Sequence, residues 1–132
     1  MTDTTKKTIL IIEDELPELS ALRDKLVRKG FAILEAKNGE EGLGIALRDQ
    51  PDLILLDIVM PVMDGMTMLK KLRAENEWGK TVPVIILTNL MVDDEQRNRE
   101  IKETEPAYYL VKSDWKIEDV VAKVYEKLGD GK

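Results

Sequence analysis

Asp52-Leu53-Ile54-Leu55-Leu56-Asp57 is a run of four large aliphatic residues closed by an acid at either end. Unbroken apolar character over so few residues reads as a short buried strand, predicted over residues 52–56, with Asp57 at its exit. Similar runs rich in Ile, Leu, Val or Tyr lie at residues 8–12, 31–36, 82–87 and 107–111. Amphipathic stretches separate them. Residues 16–29 carry Leu19, Leu22 and Leu26 at helical spacing, with Pro17 in the first turn and Gly30 just past Arg28-Lys29. That pattern has both a start and a stop signal.

A second helix opens at Asn38 with Glu41 three residues on, the spacing of a capping box. Gly42 and Gly44 lie inside it, and each costs about 1 kcal/mol relative to Ala in a helix, so it is expected to be the less stable one. The third has Asp64 as its expected N-cap and turns Met68, Leu69 and Leu72 inward. Trp78 and Gly79 fall in a loop after it. Residues 92–104 form a nearly all-polar helix with Val92 and Ile101 as its apolar anchors, so little burial holds it and it is expected to be the most mobile. The last helix spaces Ile117, Val120, Val121, Val124 and Leu128 along one face and ends at Gly129.

Five strands alternating with five helices in 132 residues imply one α/β domain, a three-layer sandwich about a parallel sheet. The domain is expected to span residues 1–132, with a core of about 7–129. Right-handed crossovers bring every strand's C-terminal end to one edge, where ligands sit in such folds. No repeat or low-complexity linker interrupts the chain.

Composition narrows the chemistry further. With 26 acids against 20 bases, a formal charge of −6, and neither histidine nor cysteine, the chain has no disulfide, no Cys/His zinc site, no thiol nucleophile and no Ser-His-Asp triad. The acidic balance also argues against a direct nucleic-acid surface. No apolar run is long enough for a signal-peptide core or a membrane span, so a cytoplasmic location with no membrane partner is expected.

What remains is oxygen and ammonium chemistry at the strand ends. The first strand runs into Glu13 and Asp14, the third into Asp57, the fourth into Thr88 and the fifth into Lys112. Each alone is an ordinary strand boundary; together they form a constellation. Clustered carboxylates repel and resist burial unless a cation intervenes, and a small set of oxygen donors suits Mg²⁺. A carboxylate that attacks phosphorus needs the metal on one side, a cation on the other and a hydroxyl on the remaining oxygens. Asp57, Mg²⁺, Lys112 and Thr88 supply those parts.

The motifs Ile11-Ile12-Glu13-Asp14-Glu15, Leu55-Leu56-Asp57-Ile58-Val59-Met60-Pro61-Val62-Met63-Asp64-Gly65, Ile85-Ile86-Leu87-Thr88 and Tyr109-Leu110-Val111-Lys112 resemble those of response-regulator receiver domains of two-component signalling. The resemblance is to chemotaxis-regulator-like receivers and covers essentially the whole chain. It implies a flavodoxin-like sheet in the order 2-1-3-4-5. It also implies Asp57 as phosphoacceptor, Glu13 and Asp14 as the acidic pair of the Mg²⁺ site with Asp57, and the Val59 carbonyl as a further ligand. Thr88 would follow the phosphoryl group, Lys112 would pair with it, and Tyr109, favoured over Tyr108 by its spacing to Lys112, would report the switch. The implied donor is a sensor histidine kinase or histidine phosphotransfer protein, and the implied output is a downstream protein bound at the surface of the 92–104 helix, the fifth strand and the last helix. Such a chain is a phosphoacceptor, not an enzyme acting on other substrates. The alternative is a phosphorylation-independent interaction module on the same fold.

Departures from the family pattern are Asn89 after Thr88 in place of a small residue, Ser113 after Lys112 in place of a proline, and Pro106-Ala107 before the fifth strand. Val59 and Leu90 are apolar beside the expected path of an attacking water, which points to slow self-dephosphorylation. Met60, Met63, Met66 and Met68 are expected to be adaptable packing around the turn after Asp57.

Overall fold

The computed structural model describes residues 6–13, 16–57, 63, 65–88, 99, 108–111 and 116–129. In chain order its elements are β1 (Thr8–Ile12), α1 (Leu16–Arg28), β2 (Ala32–Ala36), α2 (Gly39–Asp49), β3 (Leu53–Asp57), α3 (Gly65–Glu75), α4 (Glu77–Thr81), β4 (Val84–Thr88), β5 (Tyr108–Val111) and α5 (Ile117–Leu128). All neighbouring strands run parallel, in the order β2-β1-β3-β4-β5. This is the α/β architecture and strand order expected from the sequence.

The alternation of side chains along each strand divides the core into two layers. Leu10, Ile12, Ile54, Leu56, Val84 and Ile86 face one side, where they pack with Ala46 of α2 and Met68, Leu69 and Leu72 of α3. Ile9, Ile11, Leu53, Leu55, Ile85 and Leu87 face the other, against Leu22 and Leu26 of α1 and Val120, Val121 and Val124 of α5. Strand β3 is covered on both faces, which is why its sequence shows no polar alternation.

The termini of α1 and α5 follow their sequence signals. The chain leaves α1 through Gly30 at φ 100°, with the Gly30 N–H donating to the Val27 carbonyl at 3.0 Å. At the start of α5, the Asp119 carboxylate accepts the Lys116 N–H at 2.7 Å, and the helix runs out at Gly129, φ 74°. Gly30 and Gly129 both occupy the left-handed region that glycine enters most cheaply.

Three sequence expectations need correction. Trp78 is not in a loop: Asn76 caps the short helix α4, its side chain accepting the Gly79 N–H at 2.7 Å, and Trp78 packs half-buried against the α2/α3 layer. Arg73 ties the segment down, donating to the carbonyls of Gly79 and Val82 at 2.9 and 2.7 Å. Strand β4 begins at Val84 and not at Val82, because Val82 is the C-cap of α4, its N–H donating to the Trp78 carbonyl at 3.0 Å, and Pro83 lacks an N–H for the ladder. Strand β3 extends one residue further than expected and includes Asp57 itself. The expected 92–104 helix and the Asp64 cap lie outside the described residues, apart from helical Arg99. Met66 and Met68 are buried and Met63 packs on the same layer, as adaptable packing requires.

Two substitutions calibrate this core. Gly44 is exposed on α2 with open space around it, so Gly44→Ala is expected to raise the urea midpoint by an amount equivalent to about 0.5–1 kcal/mol. Leu69→Ala empties a fully buried position and is expected to cost about 2–5 kcal/mol in the same denaturation series.

Candidate functional site

The sheet order reverses direction between β1 and β3, because the chain first adds β2 on one side of β1 and then returns to add β3 on the other. The crevice at such a reversal, at the C-terminal strand ends, is where ligands bind in open α/β sheets. Ile12 of β1 is in register with Leu56 of β3. The next residue on each strand is an acid, Glu13 on one and Asp57 on the other. The Glu13 N–H still donates to the Ala36 carbonyl at 3.0 Å, so the backbone is held by the sheet up to the acid itself.

Both acids are removed from water: Glu13 is 4% exposed and Asp57 3%. Among the described residues they are the buried charged side chains, whereas Asp, Glu, Lys and Arg elsewhere lie at least partly in solvent. Burying a carboxylate is expensive without compensating charge or hydrogen bonds, and placing a second beside it raises that cost. The other acids among the described residues lie at the surface. Arg23 lies between Asp24 and Glu35, and hydrogen bonding to Asp24 first, with Glu35 adding to it, holds its pKa above the ordinary guanidinium value. The Arg48 hydrogen bond likewise holds the Asp49 carboxyl below the usual carboxylate range. Such exposed pairs add little to stability.

The neighbouring elements frame this edge. Leu87 of β4 is in register with Asp57, which puts the backbone of Thr88 one step beyond it at the end of the next strand. Thr88 in turn pairs with Val111 of β5, and Tyr109 with Ile86. On the other side, Asn38 caps α2 by accepting the Glu41 N–H at 2.8 Å, as its sequence position suggested. The next residue reaches across: the Gly39 N–H donates to the Met63 carbonyl at 2.9 Å. Met63, just ahead of α3, is thus tied to the start of α2, a link for which the sequence held no signal. Of the residues expected at the site, Glu13, Asp57, Thr88 and Tyr109 fall on adjacent strands, while Asp14, Val59 and Lys112 lie outside the described residues.

The family model of the response regulator receiver domain matches residues 9–125 of this chain. The chain belongs to that family. The polar-differentiation response regulator DivK of Brucella anthropi is 35% identical to the receiver domain over 95 residues, 71% of this chain and 76% of that protein. The alkaline phosphatase synthesis transcriptional regulatory protein PhoP of Bacillus subtilis is 37% identical over 82 residues, 62% of this chain but 33% of that protein. The receiver domain spans only about a third of the length of this and other transcriptional regulators it matches. Among solved structures, it resembles the receiver domain of sensor histidine kinase PA1611 from Pseudomonas aeruginosa, with a TM-score of 0.81 and 26% identity over 94% of this chain and 98% of that one. That structure holds a magnesium ion coordinated in its active site cleft. No helix among the described residues of the present receiver domain is long and apolar enough to cross a membrane.

Proposed function

We propose that this receiver domain accepts a phosphoryl group on Asp57 in a Mg²⁺-dependent transfer and uses it to switch a protein-binding surface. The observation that carries the reading is the burial of Asp57 beside Glu13 at the reversal point of the sheet. Two carboxylates brought to one dry edge form an oxygen donor set that fits Mg²⁺, with Glu13, Asp14, Asp57 and the Val59 carbonyl as the protein ligands. When bound, the ion offsets negative charge on the attacking carboxylate and on the incoming phosphoryl oxygens.

These 132 residues contain no histidine, so the phosphohistidine donor lies outside this domain, on a sensor histidine kinase or a histidine phosphotransfer protein. A carboxylate oxygen of Asp57 forms a bond to phosphorus as the phosphorus–nitrogen bond to the donor imidazole breaks, and the departing imidazole takes a proton from solvent. Strand β3 presents that oxygen rigidly, because Leu53 to Leu56 are packed on both faces of the sheet. Thr88 donates its hydroxyl to a phosphoryl oxygen, and Lys112 pairs with another.

The modification replaces a carboxylate of one negative charge with an acyl phosphate of about −1.5 to −2, a net gain of up to about one negative charge, and adds new acceptor oxygens at one point. Thr88 and Lys112 follow them, Tyr109 turns inward, and the surface of the 92–104 helix, β5 and α5 is biased toward the form a downstream protein binds. Val59 and Leu90 are apolar in the sequence at the positions expected to flank the attacking water, so self-dephosphorylation is slow. The setting is the cytoplasm, where kinase and target are at hand.

Incubation with a small-molecule phosphodonor and Mg²⁺ is expected to give a single phosphoryl adduct by intact mass, lost without Mg²⁺ and lost in Asp57→Ala. An adduct that survives that substitution contradicts the assignment, and no adduct under any condition favours the phosphorylation-independent module. At tenfold excess over its Kd, Mg²⁺ is expected to add about 1.4 kcal/mol to unfolding stability. That increment should vanish in Asp57→Ala; equal stabilisation of both proteins places the ion elsewhere.

A further inference from the structure

Gly42 sits on the buried face of α2, against β1. A methyl group built on its Cα runs into the Ile12 side chain, meeting Cδ1 first, with Cγ1 at 2.8 Å and Cγ2 at 3.2 Å. Contacts of that kind do not occur between real side-chain carbons and force something to move. Gly44, two residues along the same helix, has nothing within 4 Å of the same built atom. The two glycines, equivalent by helix propensity, are therefore different in kind. Gly44 is only a weak helix former, whereas Gly42 sets how closely α2 lies on the strand.

What that closeness controls is the acidic edge. Ile12 is the last residue of β1, fully buried, and the next residue is Glu13. At its start the same helix holds Met63, just ahead of α3, through the Gly39 N–H on the Met63 carbonyl. Helix α2 thus contacts the end of β1 through Gly42 on Ile12, and the entry to α3 through Gly39.

We propose that Gly42 is a positioning residue for the metal-binding edge, acting with Ile12 as a size-matched pair that sets Glu13 against Asp57. The proposal rests on the reading of that edge as a Mg²⁺ site. Supports of this kind behind metal ligands are worth roughly 10- to 100-fold in affinity. Gly42→Ala should raise the Kd for Mg²⁺, measured by calorimetric titration of the full chain, on the order of tenfold. Overpacking costs about 1–3 kcal/mol and alanine returns about 1 kcal/mol through helix propensity, a net loss that a domain of ordinary stability tolerates, so the variant stays folded. Ile12→Ala removes Cδ1, Cγ1 and Cγ2, all the atoms the new methyl meets, so the double variant Gly42→Ala/Ile12→Ala should recover most of the lost affinity. Gly44→Ala, the control, should leave the Kd unchanged.

The metal-free protein supplies a second readout. In Gly42→Ala the amide resonances of Glu13 and Gly39 should shift, and they should return toward wild-type positions in the double variant. A Mg²⁺ Kd within about twofold of wild type in Gly42→Ala, against the roughly tenfold expected, or a loss that Ile12→Ala does not restore, overturns the proposal while leaving the site itself standing. A wild-type protein that binds no Mg²⁺ overturns the functional reading and the proposed metal role together.

Discussion

Everything in this molecule turns on the register of β1 against β3. Pairing Ile12 with Leu56 makes the next residue on each strand an acid, and it does so at the point where strand order reverses. A slip of one residue would turn both strands' apolar side chains to the wrong faces, so the packing of two core layers enforces the alignment. The stability of the hydrophobic sheet and the proximity of Glu13 and Asp57 are the same constraint seen from its middle and from its end. The core can hold two buried carboxylates at its rim because the strands beneath them are covered on both faces.

From this constraint the rest of the architecture acquires its roles. Helices α1 and α5 close one face, α2 and α3 the other. Helix α2 has a further part, since it contacts the end of β1 and holds Met63 ahead of α3. The opposite edge is tied by different means: the Thr8 N–H donates to the Asp52 carboxylate at 2.8 Å, and the Asp52 N–H to the Thr8 carbonyl at 2.8 Å. Asp52 and Asp57, the acids bracketing the central strand, thus divide the work. One fastens the sheet and the other stands where chemistry is expected.

The sequence was legible wherever a residue's role depended on its own neighbours. Buried strands appeared as apolar runs, α1 and α5 as spaced aliphatics with Gly30 and Gly129 behind them, and Asn38 as a cap. The strand order came with the family motifs. What could not be read depended on partners distant in sequence or on backbone atoms. Helix α4 escaped because five residues leave no periodicity, and its support comes from Arg73 and Asn76 and not from an apolar stripe. Gly42 read as a weakness because helix propensity is blind to Ile12, thirty residues upstream. For the site, residue types and strand ends identified Glu13 and Asp57, whereas the Met63 carbonyl, a backbone group, left no trace.

The chain has 26 acids and no histidine. Among the described residues, the acids outside the sheet reversal lie at least partly in solvent. The pair at the sheet reversal is set apart by burial, and the missing imidazole puts the proposed phosphohistidine donor outside this domain. The most direct measurement is to phosphorylate the protein with a small-molecule donor in Mg²⁺, reduce the product with borohydride and map the modified residue by peptide mass spectrometry. An acyl phosphate on an aspartate is reduced to homoserine, which marks the acceptor permanently. The expected result is conversion at position 57 alone. Conversion at Glu13 or Asp14, or a phosphorylated protein that borohydride does not alter, would contradict Asp57 as the acceptor.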